Sequence, residues 1–235
     1  MSKGPLAVAW GAPPSPSPHA GTVEPVQLAL ANAGSIAWRE TIFVSYHWLD
    51  LRDNPIHWDG ERTPAPPLAP GERATVAVSV RAPMPPGRYR LAFDLVAEHR
   101  AWFSELGSPM LALDVEVGPR GGEPRTERPP ELEPADGYAE RVRAAHAEGY
   151  AVVAGAIDWQ GIHRPRELAP YEPGGGRVPR FGAPLLVPSV LPGIELEPLG
   201  EVAGIPAFAA PLGEPWVYDG RIVVRARPRS GRRPR

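Results

Sequence analysis

The chain has 235 residues, enough for one large domain or two small ones at roughly 100–150 residues each. It is 43% hydrophobic and 22% charged, with a formal net charge of −2, so no global field draws it to nucleic acid or anionic lipid. It has no cysteine, which excludes disulfides, thiolate metal sites and a cysteine nucleophile.

The N-terminal apolar run, Leu6 to Trp10, is too short for a signal-peptide core. No stretch approaches the roughly 20 apolar residues of a membrane span, so a cytoplasmic location is expected. From there to Gly118 the sequence reads in strands. Val26, Leu28 and Leu30 alternate with Gln27 and Ala29. Ile42, Val44, Tyr46 and Trp48 alternate with Phe43, Ser45, His47 and Leu49. The same period of two runs through Ala74–Val80, Tyr89–Leu95 and Leu111–Val117. Turn residues separate the runs: Asn32-Ala33-Gly34-Ser35, Asp53-Asn54-Pro55, Pro70-Gly71-Glu72, Pro85-Pro86-Gly87 and Gly107-Ser108-Pro109. With short edge strands at 6–10 and 56–58, about seven strands and no helical period predict a two-sheet, immunoglobulin-like β-sandwich over 6–118. Tyr89, just after Pro86-Gly87-Arg88, stands where such sandwiches place a corner tyrosine whose hydroxyl returns to the backbone.

Residues 119–135 combine Gly, Pro and charge with almost no apolar content, and are expected to be a flexible linker. Residues 136–226 are expected to form a small α+β domain. Asp136 is placed to cap a helix carrying Tyr138, Val142 and Ala145 at helical spacing, and Gly149 ends it. Tyr150 to Ile157 follows as a continuous apolar strand of the kind buried on both faces. Gly174-Gly175-Gly176-Arg177 lacks the Lys-Ser/Thr end and the helix of a phosphate-binding loop. Trp216 to Gly220 reads as a tight turn with the Asp-Gly of a hairpin, and Arg221–Arg225 as a terminal strand. Residues 227–235 are expected to be a disordered basic tail. The whole is a mainly β chain.

Several motifs occur in order in the first half: Asn32-Ala33-Gly34-Ser35 then Trp38, Ser45-Tyr46-His47-Trp48, Trp58-Asp59-Gly60 with Arg62-Thr63, Pro70-Gly71-Glu72, Ala82-Pro83 with Pro86-Gly87-Arg88-Tyr89, and Asp94-Leu95-Val96 through Trp102-Phe103-Ser104. This text resembles an immunoglobulin-like accessory domain found beside glycosyltransferases and methyltransferases in bacterial glycan-biosynthesis proteins. More distantly it is similar to the four-tryptophan domain of selective-autophagy receptors. The resemblance implies a supporting role in bacterial surface-polysaccharide biosynthesis. In the second half, Tyr138-Ala139-Glu140-Arg141-Val142, Ala145-His146-Ala147 and Val153-Ala154-Gly155-Ala156-Ile157 look like the middle of a family-two glycosyltransferase domain. That family's Asp-x-Asp metal motif and its N-terminal sugar-nucleotide half have no counterpart here.

Tryptophans stack on sugar rings because an apolar face meets C–H groups while the indole N–H donates. Parity with Ile42, Val44 and Tyr46 puts Trp48 in the core, and Trp38 is placed to plug the sandwich end. Trp58 and Trp102 lie next to loops and are the candidates for touching a ligand. His47, on the opposite face from Trp48, joins His57, Asp59 and Arg62 in a polar patch on the outer face. Asp94 and Glu98 flank the same sheet. The spacing does not specify three converging metal ligands, so neither metal nor cofactor is expected. In the second half, Asp158 and Trp159 end the apolar strand with His163 just beyond, where α/β sheets place ligands.

The expected function is a non-catalytic binding or accessory module for a glycan or a partner protein. Two alternatives stay open. One is a partial glycosyltransferase-like protein acting on a nucleotide sugar with a partner chain, which expects converging carboxylates near Asp158 and His163. The other is an assembly protein whose sandwich edge recruits a partner strand.

Overall fold

The computed structural model describes residues 4–159, 166–171, 173–178 and 183–226. The chain divides into two compact units, Met1–Gly118 and Pro119–Arg235.

The described residues of the first unit form nine strands: β1 (Val8–Trp10), β2 (Val23–Asn32), β3 (Ile42–Leu49), β4 (Pro55–His57), β5 (Thr63–Pro64), β6 (Arg73–Arg81), β7 (Gly87–Ala97), β8 (Ala101–Trp102) and β9 (Leu111–Val117). One sheet has the order β1-β2-β6. The other runs β4-β3-β7-β8, with β5 also on β3 and β9 also on β7. All the pairs are antiparallel. Putting β1, β2 and β6 in one sheet and β3, β7 and β9 in the other reproduces the A-B-E and C-F-G division of an immunoglobulin-like sandwich.

The alternation decides which side chains meet. Leu28, Leu30, Val78 and Val80 from one sheet share a core with Val44, Tyr46, Trp48, Leu91, Phe93, Leu95 and Val115 from the other. Two polar tips inside that core are satisfied. Trp48 Nε1 donates to the Arg81 carbonyl at 2.8 Å, and the Tyr46 hydroxyl accepts from Arg81 N at 3.0 Å. Trp38 is buried edge-on against Phe103, with ring centroids 5.9 Å apart. The Tyr89 hydroxyl donates to the Pro85 carbonyl at 2.6 Å, closing the corner at the start of β7.

The second unit adds β10 (Arg125–Thr126), β11 (Leu132–Pro134), α1 (Tyr138–Ala147), β12 (Val152–Asp158), a 3₁₀ turn at Arg166–Tyr171, β13 (Arg177–Val178), β14 (Leu185–Leu186), β15 (Ser189–Val190), β16 (Pro198–Val202), β17 (Ile205–Phe208) and β18 (Trp216–Ala226). Its larger sheet has the order β10-β15-β12-β18-β11 with β13 on β18, and β14-β17-β16 form a smaller one. The apolar strand is central: β12 runs parallel to β18 and antiparallel to β15, and is buried from Val152 to Ile157. One helix on a β-rich unit makes the chain mainly β, as composition and pattern indicate.

Three local expectations are corrected. The segment expected to be a linker, 119–135, supplies β10 and β11. Strands of two and three residues need little apolar content of their own, and one buried side chain, Leu132, anchors β11 beside the end of β18. The helix is not capped by Asp136. Gly137 occupies the N-cap with φ 74°, and no side chain caps the helix. A Cβ at Gly137 would lie 2.7 Å from the Arg141 guanidinium, which itself donates to the Asp136 carbonyl at 2.9 Å. Asp219-Gly220 forms no hairpin. It lies inside β18, where the register against β12 jumps from Gly155↔Asp219 to Ala156↔Val223. Asp219 accepts from Arg221 N at 3.0 Å and pairs with the Arg221 guanidinium, so the local turn chemistry makes a bulge within a continuing strand. The expected basic tail, 227–235, lies outside the described residues.

Candidate functional site

β3, and β7 from Leu91 to Ala97, are buried on both faces, which a half-buried strand pattern does not anticipate. The inward residues meet the core. The outward ones, Ser45 and His47 on β3 and Ala92 and Asp94 on β7, lie in register, with Ser45 opposite Asp94 and His47 opposite Ala92. Two segments of the same unit flank and cover them: residues 55–64 with β4 and β5, and residues 98–105 with β8.

The first segment lies flat on β3 because of Gly60. Its N–H donates to the Tyr46 carbonyl at 3.0 Å, and a Cβ at this position would sit 2.6 Å from that oxygen. The Gly60 carbonyl accepts from Ser45 Oγ at 2.9 Å and from Arg62 Nη1 at 3.2 Å. Arg62 gathers the polar groups. It pairs with Asp59 at 2.5 Å and Glu98 at 3.3 Å, and donates to Ser45 Oγ at 3.1 Å. Its guanidinium carbon is 4.8 Å from the centre of the Trp102 ring, a cation–π contact.

The aromatic groups stack beside this cluster. The Trp58 ring lies on His47, with centroids 4.0 Å apart and planes 16° from parallel. Trp102 meets His47 edge-on at 4.6 Å and Trp58 at 6.5 Å. His47 is completely buried, whereas Trp58 is 44% exposed. The Trp58 carbonyl accepts from His47 Nδ1. Of the expected polar patch, His47, Asp59 and Arg62 do come together, and the ligand candidates Trp58 and Trp102 join them, while His57 is exposed at the end of β4. The expectation that His47 lies open on a polar face is corrected: Trp58 and Trp102 close over it. Arg62 over its ring makes Trp102 a support for the patch more than its outer surface.

Two titratable groups are displaced here by burial. The Asp94 carboxylate is pushed up to about 6, chiefly because it has left water, although the Leu95 and Ser104 amides donate to it. His47 is pushed down, first by burial and then by the nearby Arg62 and His57 charges, against the Trp58 carbonyl and Asp59.

Asp158, Trp159 and His163 belong to the second unit. Asp158 Oδ2 lies 3.8 Å from Arg225 Nε. Trp159 is partly buried against the core of its unit. His163 lies outside the described residues. Among the described residues no group of three or more His, Asp and Glu side chains could hold a metal. No helix among them is long and apolar enough to cross a membrane.

The sequence reading missed one buried polar pair in the second unit. His146 Nδ1 donates to the Tyr150 carbonyl at 2.7 Å, which leaves Nε2 to accept from Ser189 Oγ at 3.0 Å. Both side chains are buried, so this base–hydroxyl pair ties the end of α1 to β15 inside the unit. Within the first unit, a groove of about 450 Å³ is lined by Trp10, Ala29, Arg73 and Thr75; the Trp58 patch does not line it.

No family model matches the chain, and no curated protein matches it. Among solved structures it is similar to the CARDB domain of PF1109 from Pyrococcus furiosus, solved by NMR. The two share 16% identity over 50% of this chain and 97% of that one, with a TM-score of 0.31, a level at which the likeness carries no argument.

Proposed function

We propose that the first unit is a non-catalytic binding module that takes a neutral glycan on the face of Trp58, as an accessory part of bacterial surface-glycan biosynthesis. The observation that carries this reading is a large apolar ring held rigidly in solvent: Trp58 is 44% exposed, yet it is stacked on a buried imidazole. Exposed tryptophans lose side-chain freedom when they bind; one already fixed loses less, so the surface is preorganised. A sugar ring would lay its C–H face on the indole while Asp59, Arg62 and Glu98 hydrogen-bond its hydroxyls. Two carboxylates engage the one guanidinium, so the patch has no spare positive charge for an acidic sugar. The resemblance of the first-half motifs to domains beside glycosyltransferases supports the pathway assignment. Screening the full chain on a glycan array tests the reading. Neutral-glycan signals that vanish in Trp58→Ala are expected; an array without them removes the glycan.

A partner protein is the second reading, favoured by β4. This strand pairs with β3, is exposed along all three residues, and carries Ile56, 48% exposed, two residues from Trp58. Edge strands of this kind accept another strand. Ile56→Lys would weaken a protein partner and leave glycan binding unchanged.

A further inference from the structure

The outer face holds one group whose chemistry the binding surface does not use. A carbonyl oxygen only accepts hydrogen bonds, so His47 Nδ1, facing the Trp58 carbonyl, carries the imidazole proton. Nε2 is then the bare nitrogen. It is buried and has no hydrogen-bond partner among the described residues.

We propose that His47 is the positioning residue of Trp58, holding its ring by stacking and its backbone by the Nδ1–H donation, and that acid opens this contact. The bond from Nδ1 survives protonation. The second proton sits on Nε2, beneath two indoles, with no acceptor in reach. Only water can take that hydrogen bond, and water reaches Nε2 when Trp58 lifts.

The surrounding charges come from three places. The segment between β4 and β5 brings His57, Asp59 and Arg62; β7 and the residue after it bring Asp94 and Glu98; the turn after β8 brings Glu105. Asp59 favours an imidazolium, while Arg62 and His57 oppose it. Asp59 and Glu98 are engaged by Arg62, and Asp94 by the Leu95 and Ser104 amides. Burial outweighs the favourable groups and holds His47 below its usual 6.5. The closed form is therefore complete at neutral pH. It is lost as pH falls below 6.5 and through the lowered value of the folded protein.

The consequence for ligand binding rests on the function proposed above; the device itself does not. The test uses the full chain without ligand, ¹⁵N-labelled at its indoles, with the Trp58 signal assigned by its loss in Trp58→Phe. Between about pH 8 and pH 5, the range in which histidine changes charge, the Trp58 signal is expected to move toward a solvent-exposed position with a midpoint below 6.5. The Trp48 signal, held on the Arg81 carbonyl in the inner core, is expected to stay. In His47→Asn the amide replaces the Nδ1 donor and does not titrate, so Trp58 becomes pH-independent. Because Asp94 titrates nearby, Asp94→Asn serves as the control and keeps the transition. A Trp58 signal indifferent to pH would overturn the proposal, as would Trp48 moving with it. A transition that survives in His47→Asn, or is lost in Asp94→Asn, would do the same. Failure of the glycan reading leaves this outcome untouched, because no glycan is present.

Discussion

Trp48 and Trp58 lie ten positions apart and differ in everything that parity and neighbours decide. Trp48 points inward, is buried against Tyr89 at 6.1 Å between centroids, and donates to Arg81. Trp48→Ala therefore removes a packed ring and strands a part-buried carbonyl. A loss of about 3–5 kcal/mol is expected, read by denaturant unfolding. Trp58→Ala removes a half-exposed ring and is expected to cost about 1 kcal/mol or less in the same measurement. Asp94 makes a pH-dependent prediction. Its folded value of about 6 lies above the 3.8 of a free carboxyl, so the folded state holds the extra proton between those values. Stability from this group is full below 3.8 and is lost as pH rises to about 6. Asp94→Asn should gain on wild type over that window, by about 2–3 kcal/mol, and the gap should stay constant above it. His47 works with the opposite sign, favouring the folded state above its own transition.

At the level of elements, the sandwich was legible because each strand carries its own signal. Period-two alternation placed Trp48, Tyr46 and Leu91 inside, and the turn residues between runs fell between the strands or at their ends, as Asn32, Pro55 and Gly87 do. Tyr89 closes its corner on Pro85 as the local sequence implied. Tyr89→Phe deletes only that hydroxyl and is expected to cost about 1 kcal/mol of unfolding free energy, with no change in ligand binding. What covers the second face of β3 and β7 was not legible. Burial of Ser45, His47 and Asp94 depends on where the 55–64 and 98–105 segments lie, a long-range contact with no period to announce it. Gly60 was a signal in retrospect: only a residue without Cβ lets that segment approach Tyr46. The second unit was read less well for a related reason. Leu132 and Asp219 take their places from strands distant in sequence, β11 on β18 and β18 on β12, so local composition suggested a linker and a hairpin; at the helix start the Arg141 guanidinium, not an Asp136 cap, meets the backbone beside Gly137.

Across the whole molecule, two units divide the chain at Gly118, and the candidate surface belongs to the first. With a net charge of −2, recognition falls to local contacts, here an indole face and a neutralised ion-pair cluster. In the second unit, the buried His146–Ser189 pair and the parallel pairing of β12 with β18 lie within an apolar core. The direct measurement is the affinity of the full chain for a neutral oligosaccharide taken from the array, compared among wild type, Trp58→Ala and Tyr89→Phe at neutral pH. Stacking of one ring on Trp58 requires Trp58→Ala to bind at least about fivefold more weakly, as expected for losing on the order of 1–3 kcal/mol of contact, while Tyr89→Phe binds as wild type. Equal affinity of Trp58→Ala and wild type would contradict a binding surface centred on that ring.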